Sequence, residues 1–305
     1  MTKLFEEIAS LSTEQNNPNT KNIDTLSSIE ILECINNEDA LVIPAVKNEI
    51  EHIAQAVELV VNAFRNGGRL FYVGAGTSGR LGVVDASECP PTFGVDPEMV
   101  QGIIAGGDKA MFKAQEGAED SFENGERVIQ DYSINQHDVV CGIAASGRTP
   151  FVRGALHAAK KSSIPTILIT TNSKDTIREL GIDVDCVIAP QVGAEVIAGS
   201  TRMKSGSAQK LVLNMITTAS MVRIGKTFGN IMVDVQPTNA KLKERAKKIM
   251  MELTGCTYPV AENTLLNTGF SVKTGLVMLL ANVSQEEARQ RLQDANGLVR
   301  NAIQR

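Results

Sequence analysis

Short apolar runs alternate with helical patterns through the middle of the chain. Five of these runs have the length and composition of buried strands, and they cover residues 70–73, 100–105, 139–144, 166–170 and 186–189. The segments between them repeat apolar residues at the spacing of amphipathic helices. Such alternation is typical of a parallel sheet with helices on both faces. The pattern therefore predicts an α/β fold with a parallel five-stranded sheet.

The amino end of the chain has a different pattern. Residues 12–28 are rich in Asn, Thr and Ser, a composition that buries little and predicts an irregular arm. Ser27 or Ser28 with Glu30 then has the spacing of a helix capping box. The helix that would follow repeats apolar residues at helical spacing: Ile29, Leu32 and Ile35. We therefore expect the arm and this helix to dock on the rest of the protein.

Two longer helical patterns flank the strands. One apolar stripe runs through residues 46–64 and ends at a pair of glycines, and the other covers residues 201–222. Beyond Pro237 only helical spacing remains. We therefore divide the chain into three parts: an N-terminal arm and helix (1–45), an α/β domain (46–236) and a small C-terminal helical bundle (237–305).

Composition excludes several classes of protein. The net charge is −5, aromatic residues make up 4% of the chain and Trp is absent, which disfavours a nucleic-acid binder. The five cysteines are widely spaced and contain no C-x-x-C, so neither a disulfide framework nor a zinc site is predicted. No segment has the pattern of a signal peptide or a membrane span. We expect a cytoplasmic protein without a metal.

Hydroxyl-bearing segments occur at three places where a predicted strand gives way to a helix. They are Thr77-Ser78-Gly79, Ser146-Gly147-Arg148 and Ser200-Thr201. Each alone is explained by helix capping. Together, at the carboxyl ends of parallel strands, they predict a phosphate site built on backbone N–H groups. Nearby cations would supply positive charge for an anionic ligand: Arg80, Arg148, Arg202 and Lys204.

The first of these segments also matches a dinucleotide fingerprint, Gly74-x-Gly76-x-x-Gly79. That motif needs an acidic residue at the end of the second strand. Asp96 has nearly the right spacing, but it precedes the second strand instead of closing it. The sequence also lacks the G-x-x-x-x-G-K-[ST] pattern of a P-loop. Nucleotide binding is therefore disfavoured.

Long segments of the chain closely resemble the N-acetylmuramic acid 6-phosphate etherases. The strongest are GAGTSGRLGVVDASECPPTFG, AGGDKAMFKAQEGAEDS, GIAASGRTPFV and VGAEVIAGSTRMKSGSAQKLVLNM, which begin at Gly74, Ala105, Gly142 and Val192. This resemblance implies a flavodoxin-like sugar isomerase (SIS) domain, a C-terminal bundle like a ubiquitin-associated domain, and a homodimer. It also implies a lyase that splits the D-lactyl ether of N-acetylmuramate 6-phosphate during cell-wall sugar recycling, without metal or nucleotide.

The implied chemistry needs two carboxyl groups. Opening the sugar to its aldehyde makes the C2 proton acidic, so that a base can remove it while an acid protonates the leaving lactate oxygen. By resemblance, Glu88 in SECPPT is the acid and Glu119 in EGAED is the likely base. A helix over residues 108–123 would place Glu119 beside an apolar face and direct Glu116 to solvent. Glu195 is a third candidate, as a substrate contact or a reserve base.

Two other functions stay open at this stage. The resemblance extends to the glucokinase regulatory protein, so a non-catalytic sugar-phosphate sensor is one alternative. An aldose–ketose isomerase that uses the same open-chain aldehyde is the other. The presence of both Glu88 and Glu119 favours the etherase over each of them.

Overall fold

The predicted strands form one parallel sheet. Their bounds are β1 Leu70–Gly74, β2 Val100–Ile104, β3 Val139–Ile143, β4 Thr166–Ile169 and β5 Cys186–Ile188. The strand order is β2-β1-β3-β4-β5, and every neighbouring pair is parallel. This order is that of flavodoxin-like folds. The predicted five-stranded α/β fold is confirmed.

The computed structural model describes residues 11–235, 237 and 239–304. The chain divides into two compact units. The first comprises the chain up to Glu88 together with Pro97–Thr217, and the second comprises Cys89–Asp96 together with the chain from Thr218 onward.

Nine helices described in or beginning in the first unit surround the sheet. They are α1 Ser28–Asp39, α2 Val42–Lys47, α3 Ile50–Arg65, α4 Gly76–Phe93, α5 Lys109–Phe112, α6 Phe122–Asp131, α7 Pro150–Lys161, α8 Lys174–Glu179 and α9 Lys204–Arg223. The strands β1 and β3 are buried at every position. Gly142 of β3 lets α7 approach closely, because a Cβ there would lie 2.7 Å from side-chain atoms of Val152 and Leu156.

The second unit has its own core. It contains a two-stranded antiparallel hairpin, β6 Thr227–Phe228 and β7 Ile231–Met232, and the helices α10 Ala240–Thr254, α11 Tyr258–Asn267, α12 Val272–Ala281, α13 Gln285–Asp294 and α14 Val299–Ile303. Leu265, Leu276 and Ala302 are completely buried in this core. Among the described residues no single helix is long and apolar enough to cross a membrane, and α11 with α12 meets that criterion only as a pair bent by 119°.

The structure corrects three details of the predicted helices. Residues 108–123 do not form one helix: α5 ends at Phe112 because Lys113 is extended, and Gly117, at φ +73°, precedes a short 3₁₀ turn, Ala118–Asp120. The stripe over residues 46–64 is divided between α2 and α3. The third correction concerns α1: its capping box, Ser27 with Glu30, is present, yet Ile29 and Leu32 are 66% and 65% exposed.

Candidate functional site

The candidate site lies where the chain order reverses in the sheet. β1 lies between β2 and β3, so that Gly74 is paired with Ile104 on one side and with Ile143 on the other. In open α/β sheets, ligands bind outside the carboxyl ends of the strands at such a switch point. The turns after β1 and β3 meet there.

Hydrogen bonds at the start of α9 connect this helix to the turns at that edge. The Ser78 hydroxyl, after β1, donates to Gln209 Oε1 over 2.9 Å. The Thr171 and Ser205 hydroxyl oxygens are 3.0 Å apart, and Thr171 also donates to the carbonyl oxygen of Ala145, at the end of β3. A Cβ at Gly206 of α9 would lie 3.5 Å from Thr77 Cγ2 and 3.7 Å from the Thr201 carbonyl oxygen. The three predicted hydroxyl segments therefore lie at one edge of the sheet.

The turn after β1 is set by close packing of α4 on the sheet. A Cβ at Gly79 would lie 2.7 Å from Ile104 Cγ1 and 2.8 Å from the Gly74 carbonyl oxygen, so a larger residue does not fit. Ser78 is 9% exposed and its hydroxyl is used by Gln209. Thr77 is half-buried. This turn therefore presents backbone N–H groups and Thr77 more readily than the Ser78 side chain.

The turn after β3 contains Ser146, Gly147 and Arg148. Gly147 has φ +73°, and a Cβ there would be 2.4 Å from a methyl group of Ile177, so glycine is required. The Ser146 hydroxyl accepts a 3.2 Å hydrogen bond from the Arg148 amide. Asn172, after β4, donates to the Ser146 carbonyl oxygen over 2.9 Å. Ser146 and Arg148 are half-buried, which leaves both accessible to a ligand.

The predictions did not include the polar residues after β4. Thr170, Thr171 and Asn172 are nearly completely buried and bind the turn after β3. Their signal in the sequence is a polar run, Thr170-Thr171-Asn172-Ser173, directly after a buried strand. Such a run at a strand end indicates hydrogen bonding at the sheet edge as well as helix capping.

Two charged residues are buried at the end of the loop between β5 and α9: Glu195 within the loop and Lys204, the first residue of α9. Glu195 is completely buried, and its carboxylate accepts 2.9 Å hydrogen bonds from the backbone amides of Lys204 and Ser205. Lys204 is 1% exposed, and its Nζ lies 2.6 Å from Glu38 Oε2. Both side chains therefore have partners within the protein. Ser200 and Thr201 of the same loop are half-buried, and Arg202 is exposed.

A cavity of about 260 Å³ opens at the carboxyl ends of β1 and β2. Its lining includes Gly76 and Arg80 of α4 and the carboxylate residues Glu116 and Glu119. Arg80 Nε donates to the Met111 carbonyl oxygen over 3.0 Å. Glu116 is exposed, as expected, and it also lines this cavity, although residues 108–123 are not one helix. Two carboxylates, both exposed, face this cavity.

Glu88 lies away from this cavity within one chain. It is exposed on α4, eight residues after Arg80, the residue of α4 nearest to it that lines the cavity. At a rise of 1.5 Å per residue, that separation is about 12 Å along the helix axis. A carboxylate side chain is too short to bridge it. The structure therefore does not bring Glu88 and Glu119 of the same chain together.

Asp85, one helical turn before Glu88, is a buried carboxylate that the sequence analysis did not single out. It accepts hydrogen bonds from Tyr72 Oη at 3.0 Å and Asn214 Nδ2 at 2.6 Å. Burial raises its pKa, and these hydrogen bonds oppose that rise. The group joins α4 to β1 and to α9. A tyrosine inside a fully buried strand was the available signal, since its hydroxyl needs a partner.

A larger groove, of about 440 Å³, lies on another face of the first unit. Its lining includes Arg153, His157, Lys160 and Lys161. Two of these cations have partners, because Lys160 Nζ is 2.5 Å from Asp185 and Arg153 donates to the Leu180 carbonyl oxygen. None of the residues that line this groove belongs to the turns after β1 and β3. The smaller cavity with Glu119 is therefore the better candidate.

The chain matches known proteins over almost its whole length. Residues 52–160 match the family model of the glucokinase regulatory protein N-terminal SIS domain. An N-acetylmuramic acid 6-phosphate etherase from Salinibacter ruber is 58% identical over 99% of this chain and 96% of that protein. The etherase of the same name from Oceanobacillus iheyensis is 52% identical over 95% of this chain and 98% of its own length.

The sheet order and the family model that matches residues 52–160 identify an SIS domain within this α/β protein. Within that class the relatives are more specific. The chain belongs to the N-acetylmuramic acid 6-phosphate etherase family.

Proposed function

We propose that this protein is an enzyme that cleaves the D-lactyl ether of N-acetylmuramate 6-phosphate, giving N-acetylglucosamine 6-phosphate and lactate in cell-wall sugar recycling. In this proposal it acts as a carbon–oxygen lyase. The observation that carries the proposal is the cavity at the carboxyl ends of β1 and β2, lined by Glu119, in a chain 58% identical to an etherase.

The turns after β1 and β3 would hold the phosphate. Backbone N–H groups at helix starts and at turns with positive φ bind anions well. Gly76, at φ +53°, and Gly147, at φ +73°, provide such turns at this edge. The half-buried Ser146 hydroxyl and Arg148 lie beside the second turn. Ser200, Thr201 and Thr77 complete the proposed set, with Ser78, Gly79, Glu195 and Lys204 holding the loops in place.

Elimination and addition then follow from the open-chain aldehyde. Glu119 removes the C2 proton, and the electron pair forms a C2=C3 double bond as the C3–O bond to lactate breaks. An acid, proposed to be Glu88, gives its proton to the departing lactate oxygen. Water then adds its oxygen to C3 while a proton returns to C2. Positioned acid–base groups of this kind typically accelerate proton transfer by 10²–10⁴-fold.

Because Glu88 and Glu119 lie apart in one chain, we propose that a second copy completes each site in a homodimer. C2 and C3 are adjacent atoms, so their acid and base must lie within a few ångströms of each other. A cytoplasmic location is part of the proposal, since all five cysteines are free thiols.

The experiment is incubation of the purified protein with N-acetylmuramate 6-phosphate in ¹⁸O-labelled D₂O, followed by mass spectrometry of both products. Elimination and addition place ¹⁸O at the sugar C3 and deuterium at C2. Label in lactate, or C3 label without C2 deuterium, would contradict the mechanism. Binding without turnover would favour a sugar-phosphate sensor, and interconversion of an aldose and a ketose phosphate would favour an isomerase.

A further inference from the structure

The N-terminal arm makes hydrogen bonds to backbone groups of the loop between β5 and α9. The Thr20 hydroxyl donates to the Val196 carbonyl oxygen over 2.8 Å. Asn17 Nδ2 donates to the Ala194 carbonyl oxygen over 3.1 Å. The Gly199 amide donates to the Thr13 carbonyl oxygen over 3.1 Å. These contacts join segments that are more than 170 residues apart in the chain.

Residues of the same arm also contact a buried ion pair at the start of α9. Glu38 Oε2 lies 2.6 Å from Lys204 Nζ, with side-chain exposures of 5% and 1%. Asn17 and Asn19 donate to the two Glu38 carboxylate oxygens over 2.7 Å and 2.8 Å. A buried charge is tolerated when it is paired and its remaining lone pairs are satisfied. The hydrogen bonds from Asn17 and Asn19 satisfy the remaining lone pairs of the Glu38 carboxylate.

This network continues to the proposed site. The residue that pairs with Glu38 is Lys204, and the backbone amide of Lys204 donates to Glu195 over 2.9 Å. Residues 189–203, all described, are turns and bends without a helix or strand of their own. Buried residues of this loop, among them Val192, Glu195 and Val196, lack a helix or strand ladder, so the loop depends on other segments for hydrogen-bond partners. The loop carries Ser200 and Thr201, the third hydroxyl segment at the edge.

We propose that the arm is a positioning device for the sugar-phosphate site: Asn17, Thr20 and Glu38 hold the β5–α9 loop in the conformation that binds substrate. This inference rests on the proposed function. These residues act through the loop, and they are positioning residues because their contacts are with Ala194, Val196 and Lys204 and not with the cavity.

The arm offers a matched pair of substitutions for the test. Thr20→Val removes the hydroxyl that bonds the loop, at nearly constant volume. Thr25→Val makes the same change at an exposed residue whose hydroxyl donates within the arm, to the Asn22 carbonyl oxygen. Asn17→Ala is a second loop-facing variant. Each is compared with the full-length wild type for the dissociation constant of N-acetylglucosamine 6-phosphate, for kcat and KM, and for native-state hydrogen exchange of residues 194–203.

A lost hydrogen bond changes an equilibrium roughly 2- to 12-fold. We expect Thr20→Val and Asn17→Ala to raise the dissociation constant and the loop exchange rate about fivefold or more, and Thr25→Val to change neither by more than twofold. Loop exchange and affinity equal to wild type in both loop-facing variants would overturn the inference. Failure of the wild type to bind or turn over the sugar phosphate would instead overturn the proposed function, and the exchange comparison would still decide whether the arm holds the loop.

Discussion

The hydroxyl of Ser78 donates its hydrogen to Oε1 of Gln209, 2.9 Å away, in an environment almost closed to solvent. A serine hydroxyl has one hydrogen to donate. While this bond exists, Ser78 cannot donate to a phosphate as well. Ser78 therefore connects α4 to α9, and we expect it to shape the site without contacting the phosphate.

Replacing Ser78 with alanine should affect stability more than binding. The change leaves the buried Gln209 amide oxygen without a donor, which costs about 1–3 kcal/mol. We expect the free energy of unfolding in urea to fall by that amount. The affinity for N-acetylglucosamine 6-phosphate, measured by calorimetry on the folded protein, should change less than threefold, and a loss of tenfold or more would return Ser78 to the ligand.

Ser146→Ala should give the opposite result. Its hydroxyl is half-buried at the switch point, and a hydrogen bond to a charged group contributes about 1.5–3 kcal/mol. We expect affinity for the 6-phosphate to fall roughly 10- to 100-fold. Ser162→Ala is the control, because Ser162 is exposed just after the other end of α7. Equal affinities of the two variants would exclude Ser146 from the phosphate site.

Isotope exchange at the sugar C2 can show which of the two carboxylates at the cavity acts as the base. Glu119→Gln should slow the exchange of the C2 hydrogen of N-acetylglucosamine 6-phosphate in D₂O by about 100-fold or more, since the base is lost. NMR of the C2 signal measures this rate. Glu116→Gln tests the other carboxylate in the cavity, and Asp120→Asn is the control. A larger loss with Glu116→Gln than with Glu119→Gln would assign the base to Glu116.

Mixing two inactive variants tests whether two copies share a site. Glu88→Gln and Glu119→Gln should each be inactive alone. If each site takes its acid from the partner, mixed dimers have one intact site, and random exchange of subunits restores about a quarter of wild-type activity. Continued inactivity, in a mixture shown by mass spectrometry to contain mixed dimers, would place both groups within one chain or remove Glu88 from the mechanism.

The Glu38–Lys204 pair predicts a dependence of stability on pH. Burial raises the pKa of Glu38, but hydrogen bonds from Lys204, Asn19 and Asn17 outweigh it and place the pKa below the ordinary 4.5. A lowered carboxyl pKa stabilises the fold above pH 4.5, and this stabilisation is lost as the pH falls through the folded-state pKa.

Glu38→Gln should therefore cost about 3–5 kcal/mol at pH 7, because it leaves the Lys204 charge buried without its partner. The difference from wild type should shrink below pH 4.5. Urea unfolding at a series of pH values measures it, and a difference that stays constant down to pH 3 would contradict this account.

The sequence was sufficient for the sheet and for the edge that carries the site. Buried parallel strands are continuous apolar runs, so all five were recognised within one or two residues of their observed ends. The conformation of the segment around Glu119 could not be predicted from the apolar spacing. Its apolar spacing matched a helix, yet Gly117 takes a left-handed conformation that spacing does not reveal.

The sequence also does not reveal which residues pair with buried polar groups. The pairing of Glu38 with Lys204 joins residues 166 positions apart, and no local pattern specifies such a contact. The sequence therefore favours Lys204 as a ligand cation, whereas in the structure its charge is paired with Glu38. The distance from Glu88 to the cavity likewise became evident only when α4 was seen as one continuous helix.

The buried Glu195 carboxylate has a further consequence for how charge is distributed at the edge. A helix carries a partial positive charge at its amino end, which attracts anions. At α9 this end is already neutralised, because Glu195 accepts its Lys204 and Ser205 amides. The amino ends of α4 and α7 are therefore the ones that we expect to attract the phosphate, while Ser200 and Thr201, just before α9, would contribute hydroxyl groups only. The sugar would thus bind in one orientation, with its phosphate at the side of the sheet edge where α4 and α7 begin.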